Sequence, residues 1–285
     1  MGPYAIGLLF VVISQLISIP YCIAAHAMQS QMAYLAFGVL TAVTGFYVQP
    51  YISDALQASG YATPVDTLVG RFVGSSTYAF VALRMFGAAA KTTPKGADAD
   101  VKTWITFATA PSDPLFDDDG KPIRPPPGSV FSRMITIALR MALLSVLSSV
   151  SQPLDWYPLS SLAATDGRGS PAVLLATIFD HVFVQLVLIW SFLAVAFDVG
   201  ALLLLAQGLK PLSAFDNPLF QTKTPRDFWG RRWNLQVTTS FKRCVFLPLR
   251  KLGTPPTTAA LTTFVASGLF HVRCPCTANF QRPSF

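Results

Sequence analysis

No Asp, Glu, Lys or Arg occurs before Asp54. A run that long without charge suits two membrane helices, each needing about 20 apolar residues to cross about 30 Å of hydrocarbon. Pro20 and the polar run from His26 to Gln31 mark the break between them. The rest of the chain agrees, with 52% hydrophobic and 12% charged residues, where soluble domains carry about a quarter charged. Met1-Gly2-Pro3-Tyr4 lacks a basic leader and the apolar run exceeds a signal-peptide core, so the first helix reads as a retained span. Ile6 stands where a myristoylation signal needs Ser or Thr.

Further apolar segments place candidate spans near 4–25, 32–52, 70–90, 132–150, 171–207 and 255–271. The expected fold is all-α, a polytopic membrane protein with about six or seven transmembrane or membrane-embedded helices. Residues 1–90 form the N-terminal helices, 132–210 the central helices, and 211–272 a separate functional region followed by a tail, 273–285. Segment 70–90 is the weakest span, because Arg84 and Gly74-Ser75-Ser76 also suit an interfacial or re-entrant helix. Residues 91–131 contain Asp117-Asp118-Asp119 and Pro125-Pro126-Pro127 and are expected to be a mobile hydrophilic loop without a core. Segment 171–207 is too long for one upright span and is expected to tilt, protrude or break near Gly200.

Nine of the basic residues fall between Gly208 and Gly253, against only Asp216 and Asp227. The net charge of +7 is thus a local excess that marks a cytosolic loop and calls for no nucleic acid partner. No metal site is expected: Cys274-Pro275-Cys276 lacks further ligands, and three adjacent carboxylates at 117–119 project in different directions. Asp180, His181 and Asp198 lie in an apolar segment where Arg140 can pair structurally with Asp180, and Asp198 is similar, so a structural pair is the reading there rather than a second site.

Two features of the basic region point to chemistry. Thr224-Pro225-Arg226-Asp227 reads as a helix start, with a Thr cap, Pro at the first position and a carboxylate in the first turn. An α-helix from there sets Trp229 and Trp233 on one face, beside Arg231 and Arg232, at the cytosolic headgroup boundary. The second feature is a charge-free run from Ala259 to Phe270 ending on His271. Twelve residues at a 1.5 Å rise carry the chain about 18 Å, close to mid-membrane. An ionisable group there is a functional hypothesis by default, and a neutral imidazole can take a proton from a hydroxyl. Ser267 and Gly268, one turn earlier, leave room for a helix or a lipid-like substrate.

The run Asn217-Pro218-Leu219-Phe220, then Arg226 to Asn234, then Arg250, then Phe264 to His271 resembles the wax synthase branch of the membrane-bound O-acyltransferase (MBOAT) superfamily. The resemblance covers residues 211–272. It implies that His271 is the intramembrane general base and Asn234 its polar partner, with Trp229, Arg231, Arg232 and Trp233 meeting the substrates. It further implies transfer of an acyl group from acyl-CoA, a co-substrate rather than a bound cofactor, to the hydroxyl of a long-chain alcohol. The product is a wax ester, the other partners are membrane lipids, and the setting is the endoplasmic reticulum. Lys242 and Arg243 can also draw CoA phosphates.

The resemblance leaves other readings open: acetyl or acyl transfer to a terpenoid or sterol hydroxyl, an inactive truncated family member, or a non-catalytic multispanning protein. After His271 the family continues with an acidic residue and further apolar helices, whereas here Arg273 and Pro275 follow. The expectation is a C-terminally truncated or out-of-frame tail, which translation of the downstream genomic sequence in the other frames would reveal.

Overall fold

The computed structural model describes residues 3–151 and 185–273. It is all-α; among the described residues the only β contacts are the isolated bridges Pro114 to Pro211 and Phe116 to Pro122. The helices are α1 (Pro3–Met28), α2 (Gln31–Ala58, with a π-turn at Thr44–Val48) and α3 (Pro64–Ala89). There follow α4 (Val101–Thr109), α5 (Ser129–Ser151), α6 (Gln185–Ala206), α7 (Leu235–Phe241) and α8 (Pro256–Arg273). Among the described residues, three helical segments are long and apolar enough to cross a membrane: Gln31–Ala58, Ser129–Leu147 and Leu186–Ala206. The chain is a membrane protein, and every expected span coincides with a helix where it is described; residues 171–184, with Asp180 and His181, lie outside the described part.

Helix α3, the weakest of the expected spans, is not among these three segments, yet it is the packing centre of the N-terminal half, set against α1, α2 and α4. Small residues make the approach possible. A Cβ on Gly45 would fall 2.5 Å from the Tyr78 Cβ, and the Ser75 hydroxyl donates to the Gly45 carbonyl at 2.8 Å. Such close helix contacts replace the hydrophobic drive that lipid cannot supply.

The segment 91–131 also departs from expectation. Instead of a loop without a core, it supplies α4, whose start is capped by the Asp100 carboxylate accepting from the Thr103 N–H at 3.0 Å. Trp104, Phe107 and Ala108 are fully buried against Cys22, Ala25, Tyr34, Val81 and Met85, and the Trp104 indole donates to the Cys22 carbonyl at 3.0 Å. Averaged polarity concealed a nine-residue helix with a buried apolar face at positions 104, 107 and 108.

Helix α6 runs unbroken through Gly200. The glycine serves a close approach, since a Cβ there would lie 2.5 Å from the Pro111 Cβ. Two turns of α5 present Arg133 and Arg140 to α6, and both guanidinium groups bond the buried Asp198 carboxylate. Arg140 also lies over the Trp190 ring, 5.8 Å from its centroid. Pairing across helices is the expected fate of charges in a bilayer.

Candidate functional site

The Trp-Arg motif is built on a local start that the sequence announced. The Thr224 hydroxyl accepts from the Asp227 N–H at 3.1 Å, and the Asp227 carboxylate accepts from the Lys223 N–H at 3.3 Å. The expected α-helix lasts only for Pro225–Asp227; Phe228–Arg232 then widen into a π-turn closed by the Trp233 N–H on the Phe228 carbonyl at 2.9 Å. The wider turn stacks Phe228 on Trp233, with ring centroids 5.0 Å apart.

The two indoles remain neighbours, with centroids 6.2 Å apart, but they serve different purposes. Trp233 is buried against Phe215 and Ala194, joining the motif to α6. Trp229 is 53% exposed, as a headgroup-level side chain would be. The arginines also divide. Arg232 turns inward to the Asp227 carboxylate at 2.9 Å, the Asp216 carbonyl at 3.0 Å and the Gln221 amide oxygen at 2.9 Å. Hydrogen bonding from Arg232 holds the Asp227 carboxyl below its ordinary range. Arg231 and Lys242 are exposed, whereas the Arg243 guanidinium is engaged with Asp113 at 2.5 Å.

Asn234 occupies the left-handed region, with φ 42°, and caps α7 through its side-chain oxygen, which accepts from the Val237 N–H at 3.4 Å. Asn tolerates this conformation better than most residues and is a preferred helix cap, which accounts for its type at this position. Among the described residues no hydrogen bond joins Asn234 to His271. The connection is mechanical: α7 ends on Phe241, whose ring meets Phe270 edge-on at 5.5 Å, one residue before the histidine. Phe46, from the π-turn of α2, meets the same Phe270 ring at 6.0 Å.

His271 is exposed near the end of α8, and its Nδ1 lies 2.6 Å from the Ser267 carbonyl oxygen. A carbonyl oxygen only accepts, so Nδ1 carries the proton and Nε2 presents its lone pair. The ring is therefore held in the tautomer that a base at Nε2 requires. Phe264, Gly268 and His271 follow helical spacing along one stripe of α8. Leu261, Phe264, Val265 and Leu269 are exposed around it, and a Cβ on Gly268 would meet nothing within 4 Å. An apolar track thus leads to the imidazole.

Sequence reasoning missed a buried charge cluster that supports this region. The Asp113 carboxylate accepts from Arg84 Nε at 3.0 Å and Nη2 at 2.7 Å, and from Arg243 Nη1 at 2.5 Å. The Asp113 N–H donates to the Gln236 side-chain oxygen at 2.9 Å, and the Gln236 amide donates to the Leu212 carbonyl at 2.8 Å. The signal was present in Arg84, since an arginine in an apolar helix needs an acid; nothing local identified Asp113 as that acid. Burial pushes the neighbouring Cys244 thiol up to about 12, so it stays protonated and unreactive.

Residues 212–284 match the family described as "Membrane bound O-acyl transferase family". Over 106 residues the chain is 35% identical to "Probable long-chain-alcohol O-fatty-acyltransferase 9" of Arabidopsis thaliana, covering 35% of this chain and 29% of the relative. It is 32% identical over 104 residues to "Probable long-chain-alcohol O-fatty-acyltransferase 2" of the same plant, covering 34% and 28%. Relative 8 of this series is 38% identical over 80 residues, covering 26% and 24%. The chain thus matches less than a third of the length of these relatives. No solved structure matches it significantly. The resemblance to the wax synthase branch of the membrane-bound O-acyltransferases is borne out over this C-terminal region.

Proposed function

We propose that the chain is an acyl-CoA-dependent O-acyltransferase of the wax synthase type, multi-pass in the endoplasmic reticulum membrane, esterifying a long-chain alcohol. The observation that carries this reading is the His271 ring, its Nδ1–H bonded to the Ser267 carbonyl and its Nε2 open at the end of an apolar track. The alcohol chain lies along Phe264 and Gly268 with its hydroxyl at Nε2. The alcohol oxygen attacks the thioester carbonyl carbon while Nε2 takes the hydroxyl proton. Collapse of the tetrahedral oxyanion breaks the carbon–sulfur bond, and the imidazolium returns its proton to the departing thiolate. The products are the ester and free CoA, so the reaction calls for no bound cofactor.

The motif supports the donor side. Trp229 and Arg231 face the headgroup boundary, where Arg231 meets CoA phosphates. Arg232 and Trp233 act by holding the π-turn in shape, and Asn234 acts by fixing α7 against Phe270. The test is ester formation by microsomes containing the chain, given labelled acyl-CoAs of several lengths and long-chain, terpenoid and sterol alcohols. Ester from the long-chain alcohols is expected. Ester from terpenoid or sterol alcohols alone would correct the acceptor, and no ester from any pair would overturn the reading.

A further inference from the structure

The buried cluster at Asp113 contains more positive charge than its burial requires. Arg84 and Asp113, each with side chains 1% exposed, already form a neutral pair. Arg84 also donates to the Ala108 and Ala110 carbonyls at 3.2 and 2.5 Å. Adding Arg243, whose side chain is 20% exposed, gives two cations to one anion. Desolvating a further charge is costly, and such groups are retained in some proteins for the geometry they impose rather than for stability.

What Arg243 gains is position. It lies in the π-turn Lys242–Phe246, which packs against α8. Its guanidinium carbon is 5.6 Å from the Phe107 ring centroid, and that of Arg84 is 5.7 Å from the same ring. The Arg243 carbonyl accepts from the Thr92 hydroxyl at 2.6 Å. The backbone of Asp113 meanwhile holds Gln236, two residues beyond Asn234, and the Leu212 N–H donates to the Asp113 carbonyl at 2.8 Å. One aspartate in the 91–131 segment therefore grips both ends of the α7 unit, whose far end touches Phe270.

We propose that Asp113 and Arg243 are positioning residues for His271: their bond sets the π-turn that seats α8 and so fixes the imidazole relative to α7. The catalytic part rests on the acyltransferase reading; the placement part does not. Arg243→Gln is the informative variant, because it leaves the neutral Arg84–Asp113 pair and the fold intact. Arg243→Lys keeps a cation for Asp113 and serves as the rescue. Asp117→Asn, in the same segment but exposed, is the control.

Two readouts separate the claims. With the native cysteines replaced by Ser, spin labels at Lys95→Cys and Leu261→Cys report where α8 sits in nanodiscs. The distance should shift or broaden in Arg243→Gln, stay unchanged in Asp117→Asn and recover in Arg243→Lys. Displacing a catalytic group by about 1 Å costs up to about 100-fold, so kcat per folded molecule should fall by about 10- to 100-fold, with KM for acyl-CoA held within about twofold. An unchanged distance, or a loss of folded protein with kcat per folded molecule unchanged, would overturn the inference. A shifted distance in a chain whose wild type forms no ester would support the placement and refute the acyltransferase reading instead.

Discussion

Replacing Trp104 by Ala tests whether the polar segment 91–131 is part of the core. Trp104 is 0% exposed, touches Tyr34 and Phe107 with centroids 5.1 and 6.0 Å away, and donates to the Cys22 carbonyl. Removing a fully buried indole costs about 3–5 kcal/mol, whereas a change on a solvated loop stays within about 0.5 kcal/mol. The two cases differ by roughly 100-fold or more in the opening equilibrium of α4, since 1.4 kcal/mol is about tenfold. Trp104→Phe keeps most of the packing and loses one hydrogen bond, a cost of about 1 kcal/mol. Hydrogen exchange of the amides at 101–109, in nanodiscs, reads both values. Protection in Trp104→Ala that matches wild type would refute the packed α4.

Three further outcomes follow from the geometry. Gly45→Val forces α2 and α3 apart at Tyr78 and should cost about 1–3 kcal/mol as overpacking, read as a lower midpoint of thermal unfolding in detergent; an unchanged midpoint would contradict the helix contact. Gly268 has open space around it, so Gly268→Leu should leave that midpoint alone yet lower ester formation by blocking the track to His271; unaltered activity would move the acceptor elsewhere. The carboxyl of Asp227 is lowered in the folded chain below its ordinary value of 3.8, chiefly by the Arg232 hydrogen bond. The order it contributes is therefore present above that pH and lost as pH falls through the lowered value. The ¹⁹F signals of Trp229 and Trp233, in protein labelled with 5-fluorotryptophan, should move only below about pH 4; movement between pH 5 and 7 would show that another group controls the turn.

What could be read in advance was local or compositional. Charge-free lengths located the helices because hydrocarbon penalises every charge, and Thr224 capped Asp227 because a cap needs only residues a turn apart. The location of His271 on a charge-free helix was legible for the first reason. Its tautomer was not, because that depends on the Ser267 carbonyl lying within reach. The α4 core was hidden by the prolines and acids that flank it, and the π-turn at Phe228–Arg232 by the absence of any local rule separating it from an α-turn. Arg84, Asp113 and Arg243 are dispersed in sequence, so only the fold could join them. Asn234 was identified as a functional residue from its motif; its backbone conformation shows the work it does in holding the start of α7.

The central claim is that His271 removes the acceptor proton, and the most direct measurement is ester formed per folded molecule by His271→Ala beside wild type in the same microsomes. General-base catalysis contributes about 100- to 10,000-fold, so the variant should lose at least about 100-fold in kcat while the spin-label distance from Lys95 to Leu261 stays unchanged. Activity within about twofold of wild type would contradict the account.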